Sequence, residues 1–122
     1  MKKDIQRILR KDITLKVNGS MWLEGNGKRF FGPGPVELLE LIAETGSINQ
    51  AAKKMNMSYK KAWGIINRLN EHAASSLVLT SQGGEHGGGS SISEEAKEMI
   101  IFYHELRNKF SQFLDKETAK FK

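Results

Sequence analysis

The chain contains no cysteine, so it has no disulfide framework, thiolate metal site or thiol nucleophile. Its three histidines, His72, His86 and His104, do not fall at metal-ligand spacing. Its serines lack a neighbouring His and acid in any motif arrangement. No catalytic residue, metal ligand or cofactor is therefore expected, and the chain is read as a non-enzyme. Apolar runs are only a few residues long, which excludes a membrane-spanning helix. Met1 to Asp12 is basic and lacks the apolar core of a signal peptide, so a cytoplasmic location is expected. A local absence is sharper still. Between Thr45 and Asn70 there is no Asp or Glu, although the chain carries 14 acids in all. Lys53, Lys54, Lys60, Lys61 and Arg68 all fall in that stretch. With a net charge of +5 over the chain, this points to a polyanionic partner.

The same acid-free stretch reads as two short amphipathic helices. Ser47 with Gln50 forms an S-x-x-Q capping box. Ile48, Ala51, Ala52 and Met55 then share one face, and the adjacent alanines let a second helix approach closely. Asn56 and Met57 break the pattern and Ser58 caps again. From Tyr59 the stripe restarts with Ala62, Ile65, Ile66 and Leu69 inward. At about 100° per residue, Lys60, Gly64 and Asn67 point the other way, flanked by Lys61, Arg68 and Trp63. This is a helix-turn-helix pattern with the second helix as reader. A helix about 10–12 Å wide matches a major groove about 12 Å wide. The plainer alternative is a helical hairpin with a solvated basic face.

Upstream, Ile5, Ile8 and Leu9 predict a short N-terminal helix packed on the domain, with a mobile basic arm as the alternative. Residues 12–31 read as an antiparallel ribbon: Ile13, Leu15 and Val17 alternate, Asn18-Gly19 marks a hairpin turn, and strands follow over 20–24 and 28–31. Gly25-Asn26-Gly27 marks a second turn, and Trp22 and Phe30 are read as core rather than as a stacking platform. Pro35 suits the first position of a helix that ends at Gly46, with Glu37, Glu40 and Glu44 on its outer face, away from DNA. Residues 76–92 read as a glycine-rich wing hairpin. Glycines let backbone N–H groups approach phosphate, although Glu85 opposes that and a wing without a DNA role stays open. No Lys-Ser/Thr follows the glycines, which excludes a phosphate-binding P-loop. Ser93 caps a long helix over 93–118 in which Ala96, Met99, Tyr103, Leu106, Phe110 and Phe113 step alternately by 3 and 4. That seam predicts a homodimer, with coverage of the domain's own core as the alternative.

The run GSINQAAKKMNMSYKKAW, then SLVLTS and GGEHGGGS, resembles the DNA-binding domain of ModE-type molybdate-responsive regulators, a winged helix-turn-helix related to that of LysR-type proteins. The resemblance implies regulation of molybdate-uptake or molybdenum-cofactor genes. Longer family members continue into a molybdate-binding domain where this chain ends, so no molybdate binding is expected within it. The expectation is one α+β, mainly α domain, with a helix-turn-helix core over 35–72. It should act as a homodimer on double-stranded DNA with an inverted-repeat operator. Lys60 and Asn67 would face base edges while Lys61 and Arg68 hold phosphates. Gly64 would allow close approach, with Ser47, Gln50, Ser58 and Tyr59 bordering the contact and Gly84, His86 and Gly88 supplying the wing. A winged-helix module docking on protein partners, with weak or no DNA binding, is the rival reading.

Overall fold

The first long helix begins where Gly32, in extended backbone, gives way to Pro33. Helix α1 (Pro33–Thr45) thus starts two residues before the expected Pro35. Both prolines sit in its first turn, where a missing N–H costs nothing. At its other end Gly46 takes the left-handed conformation (φ 71°) and its N–H donates to the Ile42 carbonyl at 2.8 Å. In the computed structural model, which describes residues 4–81 and 89–121, α1 is followed by α2 (Ile48–Lys54) and α3 (Tyr59–Glu71). Strand β1 (Leu23–Gly25) pairs with β2 (Lys28–Phe31), and β3 (Val78–Thr80) with β4 (Ser90–Ile92), both antiparallel. Helix α4 (Glu94–Thr118) closes the order, giving an α+β, mainly α fold.

The chain falls into two compact units, Met21–His104, and Met1–Ser20 with Glu105–Lys122. In the larger unit Phe31, Leu38, Leu39, Ile42, Ile66 and Leu69 are fully buried. Each such side chain contributes about 1.5–3 kcal/mol. Exposed ion pairs such as Lys97–Glu94 contribute about 0–1 kcal/mol, so the apolar core decides the fold. Tyr103 enters this core: its ring meets Phe31 edge-on at 5.8 Å and its hydroxyl donates to the Met21 carbonyl at 3.1 Å.

The α2–α3 turn has a specific geometry. Asn56 adopts φ 54°, Met57 N–H donates to the Ala52 carbonyl at 3.0 Å, and Asn56 N–H to that of Lys53 at 3.1 Å. This is a Schellman closure with asparagine in the left-handed position. Asn56 ends the helix because its short side chain tolerates a conformation that most residues resist.

Three expectations are corrected. The N-terminal helix reduces to a single 3₁₀ turn, Ile5–Arg7, capped by Asp4, with Ile5 and Ile8 exposed. So short a segment, burying no face, cannot sustain a helix. The ribbon over 12–31 is confined to 23–31. Its turn is made by Asn26-Gly27, both at positive φ, and not by Asn18-Gly19. Val17, expected in a strand, instead donates its N–H to Thr118 Oγ1 at 2.9 Å within the smaller unit. On α4, Ala96 and Tyr103 are buried and Met99 packs on the same core. The first half of the expected dimer seam is thus occupied by the protein itself. Ile101, Phe102 and Phe113 are the large apolar side chains α4 leaves exposed.

Asn56→Gly should leave stability within about 0.5 kcal/mol, whereas Asn56→Ala should lower it by about 1–2 kcal/mol. Urea denaturation of the two variants, compared at equal m-value, checks this.

Candidate nucleic-acid interface

Reader helix α3 is fixed at both ends by side-chain hydrogen bonds. Ser58 Oγ accepts the Lys61 N–H at 3.0 Å, so the hydroxyl closes the first turn. At the far end Asn70 Oδ1 accepts the N–H of Leu77 at 2.8 Å and of Val78 at 3.4 Å. These two bonds tie the start of β3 to the end of α3. At the base of the wing, Ser90 N–H donates to the Gly46 carbonyl at 2.9 Å, joining β4 to the α1–α2 turn. The wing is therefore held at its base to both helices that frame it. Its tip, with Gly84, His86 and Gly88, lies outside the described residues.

Helices α2 and α3 pack together and bring small residues into the core. Ala51, Ala52 and Ala62 are no more than 1% exposed. Ser47 Oγ caps α2 by accepting the Gln50 N–H at 3.1 Å. The return half of the expected capping box is made by Thr45, whose Oγ1 accepts the Ser47 N–H at 3.2 Å. Gln50 itself stays exposed.

The outer surface of α3 matches the periodicity. Ala62, Ile66 and Leu69 are buried, while Lys60, Lys61, Gly64, Asn67 and Arg68 are exposed. Of the five cations in the acid-free stretch, only Lys54 forms an ion pair with the described residues, to Glu44 at 3.6 Å. Lys60, Lys61 and Arg68 of α3 thus have no carboxylate partner among the described residues. A Cβ added at Gly64 would meet nothing within 4 Å. Internal packing therefore does not require glycine there, although mid-helix glycine costs about 1 kcal/mol relative to alanine.

Two flanks border that surface. On one, Tyr59 packs edge-on against Trp63 at 6.1 Å, beside Ser47, Asn49 and the base of the wing. On the other lie Lys61 and Arg68, with Trp22 and Arg29 of the hairpin region across a cleft. Trp22, expected in the core, is 39% exposed, with the Arg29 guanidinium 3.7 Å from its ring centroid. Phe30 does pack on the core, stacked on His72 at 4.4 Å. His72 is more than the surface residue expected: its ring nitrogens lie 2.8 Å from the Arg68 carbonyl and 3.3 Å from that of Gly25. It thereby links α3 to the β1–β2 hairpin. The roles of Asn70, His72, Trp22 and Arg29 depend on partners distant in sequence, which no local pattern reports. Among the described residues no group of His, Asp or Glu could hold a metal ion, and no helix is long and apolar enough to cross a membrane.

Residues 35–93, spanning α1 to the wing, match the model of the bacterial regulatory helix-turn-helix protein, lysR family. Over 85 residues the chain is 37% identical to the molybdenum transport protein ModE of Azotobacter vinelandii, covering 70% of this chain and 32% of that protein. Over 76 residues it is 40% identical to the DNA-binding transcriptional dual regulator ModE of Escherichia coli K12, covering 62% and 29%. The chain carries a winged helix-turn-helix domain of the ModE type. Molybdenum-pterin-binding protein MopB of Rhodobacter capsulatus is also similar, 37% identical over 81 residues, covering 66% of this chain and 30% of that protein. The chain thus spans about a third of the length of these ModE-type relatives, none of whose names denotes an enzyme.

Asn70→Ala strands two N–H groups of the wing base and should cost about 1–3 kcal/mol. Gly64→Ala should do the opposite and raise stability by about 0.5–1 kcal/mol. Thermal unfolding of both variants beside the parent checks the pair of signs.

Proposed function

We propose that the chain is a sequence-specific, DNA-binding transcriptional regulator that acts in the cytoplasm as a homodimer and seats α3 in the major groove. The observation that carries this reading is the exposed face of α3, cationic, free of acids through Asn70 and without an ion pair to any of the described residues. Lys60 and Asn67 reach base edges there, lysine suiting guanine acceptors and asparagine adenine. Lys61 and Arg68 lie toward the phosphates. Gly64 brings the helix backbone close to the groove floor, which supplies a reason for glycine that packing does not. The relatives' names support targets connected with molybdenum.

The homodimer forms along α4. Since Ala96, Met99 and Tyr103 serve the core, the contact uses the second half of the seam: Leu106, Phe110 and Phe113 step by 4 and 3, and Phe113 is half exposed. A two-fold dimer would present two α3 helices about 34 Å apart, or a multiple of that, and so read an inverted repeat.

Binding to a duplex selected by the protein from a random pool should weaken with salt, at a log–log slope of about −5 to −9 if six to ten phosphates are neutralised per dimer. Lys60→Glu with Lys61→Glu should weaken binding to all sequences, whereas Asn67→Ala should relax preference at one base position by about 1–3 kcal/mol. A slope near zero would remove DNA as the partner. For the dimer, sedimentation should show two copies at micromolar concentration and one in Phe113→Glu. A parent chain that sediments as a single copy contradicts the proposed assembly.

A further inference from the structure

Beside the reader helix lies a cleft of about 530 Å³ whose walls are the β1–β2 region, the first turn of α1 and one flank of α3. Three cations converge on it from two elements: Arg29 from β2, Lys61 and Arg68 from α3. Among the described residues no Asp or Glu lines it. The nearest acid in the hairpin, Glu24, sits opposite Arg29 in the strand register, and a cross-strand ion pair would be the ordinary outcome. It does not form. The Glu24 carboxylate accepts the Trp22 indole N–H at 2.9 Å, and the Arg29 guanidinium lies over the face of the same indole, 3.7 Å from the centroid. Trp22 thus holds both partners of the missing pair and keeps them on separate parts of its ring. A guanidinium stacked in this way retains its N–H edge for an in-plane acceptor, the geometry that suits a phosphate.

The position of the cleft identifies the acceptor. Lys61, Gly64 and Arg68 belong both to its wall and to the exposed surface of α3, so cleft and reader face are continuous. A helix about 10–12 Å wide fills a groove about 12 Å wide, and its two flanks then meet the two sugar-phosphate backbones. The flank carrying Tyr59 and Trp63 faces the wing. The opposite flank faces Arg29 and Trp22. We propose that the β1–β2 hairpin is a second grip on DNA, in which Arg29, braced on Trp22 and joined by Lys61 and Arg68, takes phosphates of the strand on the side of α3 away from the wing. This rests on the seating of α3 in the major groove. It adds a contact, outside the helix-turn-helix, that explains the exposed tryptophan and the arginine stacked on it.

The test is fluorescence anisotropy of the full chain on a selected duplex over a salt series, with Arg29→Ala, Arg29→Lys, Trp22→Leu and Lys60→Glu. Arg29→Ala should weaken binding about 3- to 30-fold and flatten the log–log salt slope by about 2 per dimer, since each lost phosphate contact takes about 0.9. Its base preference should be unchanged. Arg29→Lys should keep the slope and lose part of the affinity, and Trp22→Leu should do the same by releasing the guanidinium from its brace. Neutral methylphosphonates placed on the strand segment flanking the groove should abolish the Arg29→Ala effect. If Lys60→Glu destroys binding while Arg29→Ala changes neither affinity nor slope, the second grip is refuted and the reader helix stands. An Arg29→Ala loss with an unaltered slope also refutes it, because the lost contact is then not to phosphate. If neither Lys60→Glu nor Arg29→Ala alters binding, the reader-helix reading fails and the grip fails with it.

Discussion

The orientation of α3 follows from its packing beside α2 in one core, where Ala51, Ala52 and Ala62 are all buried. Small side chains bring the helix axes together, and the Schellman closure at Asn56 and the Ser58 cap then fix how α3 leaves the turn. With its inner face committed to the core by Ile66 and Leu69, the helix has no freedom to roll. Lys60, Gly64 and Asn67 point outward because their neighbours at helical spacing point inward. The charged surface is a consequence of the buried one.

Charge placement follows the same division. Glu37, Glu40 and Glu44 project from α1, and Glu40 and Glu44 meet His104 and Lys54 in exposed pairs. Such pairs contribute little stability. On α3 the cations Lys60, Lys61 and Arg68 form no ion pair with the described residues, and Arg29 in the hairpin is stacked rather than paired. Among the described residues, the cations of α3 are thus left without a carboxylate partner. An apolar core does not dictate such an arrangement. It accords with an anionic surface brought from outside.

The helix-turn-helix was legible in the sequence because each part carries a local signal. The two serine caps, the alanine pair, the breaking Asn56 and the restarting stripe at Ala62 all act within a few residues of themselves. What failed to read locally was settled by partners far along the chain. Asn18-Gly19 and Asn26-Gly27 are equal as turn signals, but only the second has flanking residues, Leu23 and Phe31, that pair across it and carry a ring into the core. The alternation of Ile13, Leu15 and Val17 predicted a ladder, and Val17 instead found an acceptor in Thr118. On α4 the 3-4 repeat was real, yet a helix covering its own core and one covering a second copy use the same spacing. Burial of Ala96 and Tyr103 shows which apolar residues the core has taken. Of the residues proposed to bind, those on α3 could be named from periodicity, while Arg29 and Trp22 could not, because their arrangement exists only once β2 and α3 face one cleft.

Which surface of the duplex meets α3 is the central question for function, and methylation protection reads it directly. Dimethyl sulfate attacks guanine N7 in the major groove and adenine N3 in the minor groove. With the full chain bound to a selected duplex, guanine N7 should be protected in two clusters about one helical turn apart, while adenine N3 between them stays reactive. Full reactivity of guanine N7 throughout the bound site, or protection confined to adenine N3, would contradict the placement of α3 in the major groove.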